Sequence, residues 1–447
     1  MHAYDAGLGR ACPSRLCDHE PLGHRRGPLA RNPKPQAVLI SLCLLFLLSA
    51  IQLDAQVASA QVAPAGGSPA LPATDLQPAA DEFRGDVSCP PGSRDGNLCV
   101  PDVVGSVNAL PQDGNALGFR WSAHQPFVNG LSSHWQGIQR LFVPAAGLCG
   151  RHFVVTSNHL DSARAALVYF GSAGADGRPL GPNRGSTRPD PTGRPGPPPE
   201  DRIIRSPLLS EQYRHPGGIQ AIGAYVVVPL EGGNEGQRRA SVSCFRLTSS
   251  RVDQAWTFPV DSRGAPAAAV TRLQDGRYLM AVATKGTHGL DFYVGDNPTL
   301  SDPRWRHLAS WHQNEVRSVL PGERGRIWDR YQSLNLVTQC EDGSLFLLAF
   351  AGPVALGIRG PNRVDAYRLR LTGTGEVSLT KVASRSLHCS RQGLGQLCQM
   401  RAGAGVYVDP DHRLVVYVTD RDIQGPFQSV NMVEFPSPVS TSSSGDD

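Results

Sequence analysis

Lysine is almost missing from this chain: three Lys accompany forty Arg in 447 residues, and the Arg are dispersed rather than clustered. The formal net charge is only +4. Without a basic face there is no electrostatic footprint for nucleic acid, which excludes that partner. Helical signals are also scarce, because no apolar 3–4 periodicity lasts beyond about two turns, and this excludes a helical bundle. C-x-x-C, H-E-x-x-H and G-x-S-x-G spacings do not occur. The sequence therefore offers no ground for a metal ligand set or a serine nucleophile elbow, and no cofactor is expected. No apolar run reaches the roughly 20 residues that a comfortable membrane-spanning helix needs.

The longest such run, Ala37–Ile51, is preceded by Arg25, Arg26, Arg31 and Lys34 and followed by Ala58-Ser59-Ala60. A basic region, an apolar stretch and a small-x-small site describe a secretory signal peptide over residues 1–60, and hence an exported protein: secreted, periplasmic or at the cell surface. The alternative is an uncleaved anchor, in which case the membrane becomes a partner. The basic region is long, yet the next Met is Met280. Removal of the segment leaves 37 basic against 35 acidic residues. Residues 61–86, mostly Ala, Pro, Gly and Gln to about Asp81, read as a flexible linker. The Arg84-Gly85-Asp86 tripeptide that ends it is weighed as a chance occurrence more than an adhesion motif. Residues 436–447, rich in Ser, read as a polar tail.

Gly and Pro are abundant, at 48 and 37, which suits many tight turns. The clearest unit runs from Arg330 to Leu371. A small-aliphatic start at Ser333-Leu334 leads to a turn at Asp342-Gly343. Ser344–Phe350 is then apolar enough to be buried on both faces, and a third strand alternates Tyr367, Leu369 and Leu371 against Arg368 and Arg370. Four other stretches match it. Residues 134–139 and 215–220 share His-x-x-Gly-Ile-Gln, and two more begin at Ala269 and Gly405 before turns at Asp275-Gly276 and Asp409-Pro410-Asp411. Aligning Gly137, Gly218, Ala269, Ser333 and Gly405 gives uneven intervals around a constant core, as loop insertions into one repeated unit would. The longest insertion is Gly171–Pro199. The expectation is an all-β fold, a β-propeller over residues 87–435 with five blades. Six follow if 95–125 supplies another, and a β-sandwich is the structural alternative. Leu117–Trp121 is the candidate strand for closing the ring from the N-terminal side.

Seven cysteines follow the export segment. Close spacing suggests the pairs Cys89–Cys99 and Cys389–Cys398, while Cys149, Cys244 and Cys340 lie on or beside strands, as buried thiols or with two of them paired. Polar residues beside the five aligned starts mark a channel mouth: His134, Gln136, His215, Asp329, Tyr331, Gln332 and Arg401. Repetition of the His in two blades favours a scaffold role, capping strand ends, over a ligand or metal role. The six Trp are candidates for sugar stacking or, more often, for packing between blades.

The architecture resembles that of secreted β-propeller proteins over residues 87–435, at the level of the repeat and without a diagnostic motif. That resemblance implies a monomeric module binding an extracellular carbohydrate or protein. It also admits a glycoside hydrolase of the five-bladed kind, which would need carboxylates facing the substrate from different blades. Asp329 is the carboxylate nearest a strand start, and Glu315, Glu323 and Asp291 stand in or beside loops.

Overall fold

A computed structural model describes residues 81–88, 95–118, 134–159, 164–171, 202–205, 208–210, 213–232, 239–262, 264–284, 289–321, 323, 328–329, 331–352, 362–388, 400–419 and 431–438. Residues 1–60 and 172–199, Trp121, Cys89, Cys389 and Cys398 lie outside these residues. Among them, no helix is long and apolar enough to cross a membrane.

Among the described residues strands dominate and fall into five sheets. Strand β1 (Asn115–Gly118) waits for the last of them. The first sheet runs outward from β2 (His134–Val143) through β3 (Leu148–His159) and β4 (Arg164–Gly171) to β5 (Arg202–Arg205), with β6 (Leu208–Ser210) also on β4. In the second, β7 (Tyr213–Pro216) and β8 (Gln220–Ile222) share the partner β9 (Tyr225–Gly232), followed by β10 (Ala240–Leu247) and β11 (Val252–Val260). The third is the meander β12 (Ala268–Arg272), β13 (Tyr278–Thr284), β14 (Gly289–Gly295) and β15 (Trp305–His312). The fourth carries a short parallel edge, β16 (Arg317–Ser318), outside β17 (Leu334–Thr338), β18 (Leu345–Ala351), β19 (Arg363–Leu371) and β20 (Val377–Ser386). The fifth comprises β21 (Ala404–Val408), β22 (Leu414–Thr419) and β23 (Asn431–Pro436), completed by β1.

Period-two patterning explains why these sheets form a ring. In β18, Leu345, Leu347 and Ala349 enter one apolar cluster while Phe346, Leu348 and Phe350 enter another. A strand buried on both faces must sit between two neighbours. The same holds around the molecule. Five clusters occupy the interfaces between sheets one and two, two and three, three and four, four and five, and five and one. Each blade thus borrows half its core from the next, and the circle closes as a β-propeller. Closure uses the N-terminal side of the chain. Asn115–Gly118 pairs antiparallel with β23, from Asn115 opposite Glu434 to Gly118 opposite Asn431. Residues 95–114 build no sixth sheet; they contain the helical turn α1 (Val103–Asn108), capped by Asp102, which accepts a 2.9 Å bond from Gly105 N.

At the axis the five inner strands run in one direction and nearly touch. Gly218 N bonds both Pro266 O (3.0 Å) and Gln332 O (2.9 Å), and a Cβ on Gly137, Gly218 or Gly405 would fall onto Ile219 N, Gln332 O or Ile138 O respectively. The small aligned residues answer this crowding. In the third blade the residue facing Gly218 is Ala267, two positions before the aligned Ala269. The repeated His-x-x-Gly-Ile-Gln has a structural reading. In each copy the His and the Gln face residues four apart on the partner strand, so one residue bulges from the ladder. The Gln then points at the axis. Gln220 donates to Leu336 O (2.8 Å) and accepts from Val270 N (3.0 Å) and Leu336 N (2.9 Å), and Gln139 donates to Ile219 O (3.1 Å). Asn335 likewise accepts from Val406 N at 3.1 Å. Side-chain amides supply the bonds that the inner strand edges cannot make to one another.

A strap crosses the face where the inner strands end. Phe83 N bonds Leu371 O (2.8 Å), Gly85 N bonds Gly343 O (2.7 Å), and Asp86 N bonds Arg272 O (2.9 Å). Residues 82–86, which composition assigns to the linker, thus lie against blades 3 and 4. Asp86 of the Arg-Gly-Asp tripeptide is buried and 3.3 Å from Arg272. Further on, Asn97 bonds Ala221 O and Gly223 N, and Val100 pairs with Gln339. Cys99 is joined to Cys340 of blade 4. This corrects the pairing of Cys99 with Cys89: the strap carries Cys99 to a partner 241 residues away, which close spacing could not indicate. Cys244 is a buried free thiol whose pKa burial raises well above its ordinary value.

Candidate functional site

Because the inner strands are parallel around the axis, the residues just before them gather on one face, the upper mouth of the ring. Gln136 begins blade 1 and His215 begins blade 2, and their side chains meet, Gln136 Nε2 lying 3.2 Å from His215 Nε2. The other ring nitrogen of His215 is 3.7 Å from Glu231 Oε2, and Glu231 stands opposite His215 on β9. Gln136 is 1% exposed, and its Oε1 has no hydrogen-bond partner among the described residues. The His215 side chain is 30% exposed, so it is the member of this Gln–His–Glu chain that faces outward. The expected scaffold role for His215 is a bond to neighbouring backbone; its contacts with Gln136 and Glu231 are with side chains. His134 lies in β2 with its backbone paired to Asn158.

On blade 4 the predicted Asp329 and Tyr331 join a second group built around Asp365. That carboxylate is 0% exposed and has four partners: Tyr331 Oη (2.6 Å), Arg363 Nε (2.8 Å), Lys381 Nζ (3.0 Å) and Ser384 Oγ (2.6 Å). Lys381 also holds Glu323 at 2.6 Å, and Arg363 reaches Asp329 at 3.5 Å. Burial first, then the neighbouring Tyr367 and Asp365, pushes the Tyr331 hydroxyl well above its ordinary pKa. Burial disfavours the Arg363 charge, but Asp365 beside it prevails and raises the pKa. Trp311 and Trp328 wall this group at 4.8 Å between rings. Charge is therefore concentrated here in a nearly dry place and neutralised locally, with Asp329 (47% exposed) as its outer member.

Gln332 and Arg401 complete the mouth through backbone: Gln332 N donates to Arg401 O at 3.2 Å, and Gln332 O accepts from Gly218. The structure thus brings Gln136 to His215, Asp329 to Tyr331, and Gln332 to Arg401, in three groups around the axis. Sequence reasoning did not name Glu231, Arg363, Asp365 or Lys381 for the site. Two of these carried a readable mark. Asp365 shares its strand face with Tyr367 and Leu369, an acid in an apolar row, and Lys381 is one of only three Lys in the chain.

The opposite mouth is different. A cavity of about 50 Å³ lies there between the inner strands, with Gln139, Gln220, Thr271, Thr338 and Tyr407 and the strap residues Gly96–Leu98 among its walls. That volume holds a few waters, not a sugar. Of the Trp proposed as stacking platforms, Trp135, Trp311 and Trp328 are buried between blades. Trp256 and Trp305 are half-buried against each other at 5.6 Å.

No protein-family model matches the chain, and no curated protein matches it. Solved structures similar to it include an exo-β-1,3-galactanase from Phanerochaete chrysosporium, at 10% identity and TM-score 0.36, over 72% of this chain and 64% of that one. Another is the RS223 β-xylosidase, at 8% identity and TM-score 0.38, over 70% and 95%. A third is the catalytic domain of a Coprinopsis cinerea GH62 α-L-arabinofuranosidase, at 10% identity and TM-score 0.36, over 74% and 98%. The chain spans just under two thirds of the length of the galactanase structures, and at these identities the likenesses assign it to no family.

Proposed function

We propose that the protein is an exported propeller that binds a carbohydrate at its upper mouth. One observation carries this reading: the partly exposed imidazole of His215, fixed between buried Gln136 and Glu231 at the mouth. The exposed edge of this imidazole offers a ring nitrogen and an aromatic face to a ligand hydroxyl. The strap lies across the opposite mouth and lines its small cavity, which favours the upper mouth for a polyhydroxylated ligand.

The experiment is a glycan-array screen of the full chain, followed by calorimetry on Gln136→Ala and His215→Ala. The expected result is a bound glycan whose affinity falls about tenfold or more in each variant, with near-ultraviolet circular dichroism unchanged. Binding that survives both changes would refute the site.

A second reading, glycoside cleavage, has its own support. Glycoside cleavage needs two carboxylates from different blades, and Glu231 of blade 2, beside His215, and Asp329 of blade 4, beside Arg363, are candidates for that pair. Both already face cationic or ionisable groups, which suits binding better than acid catalysis. Release of reducing ends from the bound glycan, lost in Glu231→Gln and in Asp329→Asn, would establish cleavage; no release leaves binding alone.

A further inference from the structure

The lower face holds a group that neither carbohydrate reading uses. His412, in the turn between β21 and β22, places Nδ1 3.8 Å from Cys99 Sγ and 3.9 Å from Cys340 Sγ, nearly equidistant from the two sulfurs. All three donor atoms lie within 4.8 Å of one another. We propose that reduction of the Cys99–Cys340 disulfide converts this group into a three-ligand site for Zn2+, with the two thiolates and His412 Nδ1 as ligands and water in the fourth position.

Tetrahedral zinc with bonds of about 2.3 Å to sulfur and about 2.0 Å to nitrogen sets ligand atoms roughly 3.6–3.8 Å apart. The imidazole already stands at that distance from both sulfurs. Only the sulfurs must part, by less than about 2 Å on the same bond lengths. The backbone keeps them close when the disulfide opens, because Val100 N bonds Thr338 O and Cys340 N bonds Val100 O, both at 2.9 Å. The imidazole is held as firmly. Asp409 Oδ1 accepts from Asp411 N and Arg413 N, His412 N donates to Asp409 O, and His412 adopts φ 58°. In the disulfide form Nδ1–H donates to Cys99 O at 2.9 Å. Metal binding takes the other tautomer and gives up that bond in exchange for the coordinate bond. The three ligands lie 241 and 72 residues apart along the chain, so the short-spacing search that set metal aside could not find them.

The chemistry balances with a phosphine as reductant. The disulfide accepts two electrons, the phosphine becomes its oxide with oxygen from water, and water supplies the two thiol protons. Zinc then displaces both thiol protons to solvent. In either state the strap stays fastened, by the disulfide to blade 4 alone and by the metal to blades 4 and 5 together.

The test uses the full chain, reduced with tris(2-carboxyethyl)phosphine and titrated with Co2+ and then Zn2+. The expected result is one equivalent of Co2+ bound with sulfur-to-cobalt charge-transfer absorption and displaced by Zn2+, with no such binding by the oxidised chain. Cys99→Ser and Cys340→Ser should each abolish it, while His412→Ala weakens it about tenfold or more and keeps the charge-transfer band. Near-ultraviolet circular dichroism follows each sample. A reduced chain that loses its fold should regain it on adding Zn2+, and failure to do so overturns the proposal. So does an absence of binding, or binding indifferent to these three residues.

Discussion

Gln220 shows how much a single amide does at the axis. Its side chain serves blade 2, from which it comes, and blades 3 and 4, whose Val270 N, Leu336 N and Leu336 O it satisfies. Gln220→Leu keeps the volume and removes all three bonds, stranding two buried donors and one acceptor at about 1–3 kcal/mol each. The expected loss is about 3 kcal/mol or more in denaturant unfolding, and a loss below about 1 kcal/mol on the same scale would show that water replaces the amide. Gly405→Ala should be comparably harmful, because its Cβ would meet Ile138 O, which is backbone and cannot swing away. The sequence shows the Gln as the last residue of a repeated motif but not its role. Its partners lie 50 and 116 residues away, and no local pattern encodes which strand edge will face it. His215 and Gln136 were expected together from their place beside the aligned strand starts, and the structure brings their side chains to 3.2 Å.

The strap is the element that composition reads least well. Ala, Pro and Gly mark its beginning as linker, yet residues 82–86 bond two blades, and Asn97 and Cys99 fasten it further along. Period-two patterning identifies strands because each one buries side chains on known faces. A strap is held by backbone bonds and single side chains, which leave no periodic trace. The same cause misdirects the cysteine pairing. Closing a loop of 241 residues removes chain entropy worth up to about 5 kcal/mol on the loop-closure estimate. Cys340→Ser should therefore lower stability by about 3–5 kcal/mol on that estimate. It should also open residues 95–100 to limited proteolysis while the five sheets keep their far-ultraviolet dichroism. An equally protected strap would show that Asn97 and Val100 suffice to hold it.

Over the whole molecule, ring closure couples every interface to every other, and buried tyrosines stand at several of them. Tyr169 lies between blades 1 and 2, Tyr331 and Tyr367 between 3 and 4, and Tyr407 and Tyr417 between 5 and 1. Burial is the leading cause that raises each hydroxyl above its ordinary 10.0, Tyr407 to about 12, Tyr331, Tyr367 and Tyr417 well above, and Tyr169 likewise upward. In the unfolded chain these groups lose their protons near pH 10, whereas the folded ring holds them beyond it. The folded state therefore binds more protons above pH 10, and stability falls as pH rises. The contribution is complete below about pH 10 and is lost through pH 12 and above, at up to about 1.4 kcal/mol per pH unit for each tyrosine. Because the groups are spread over separate interfaces of one closed ring, their losses add in a single unfolding event. The expected observation is a steep alkaline transition above about pH 10 in which near-ultraviolet dichroism collapses as these buried tyrosines ionise together. Tyrosinate absorbance that rises for the whole set near pH 10, with dichroism unchanged, would mean that the interfaces admit water and that the ring is looser than its packing indicates.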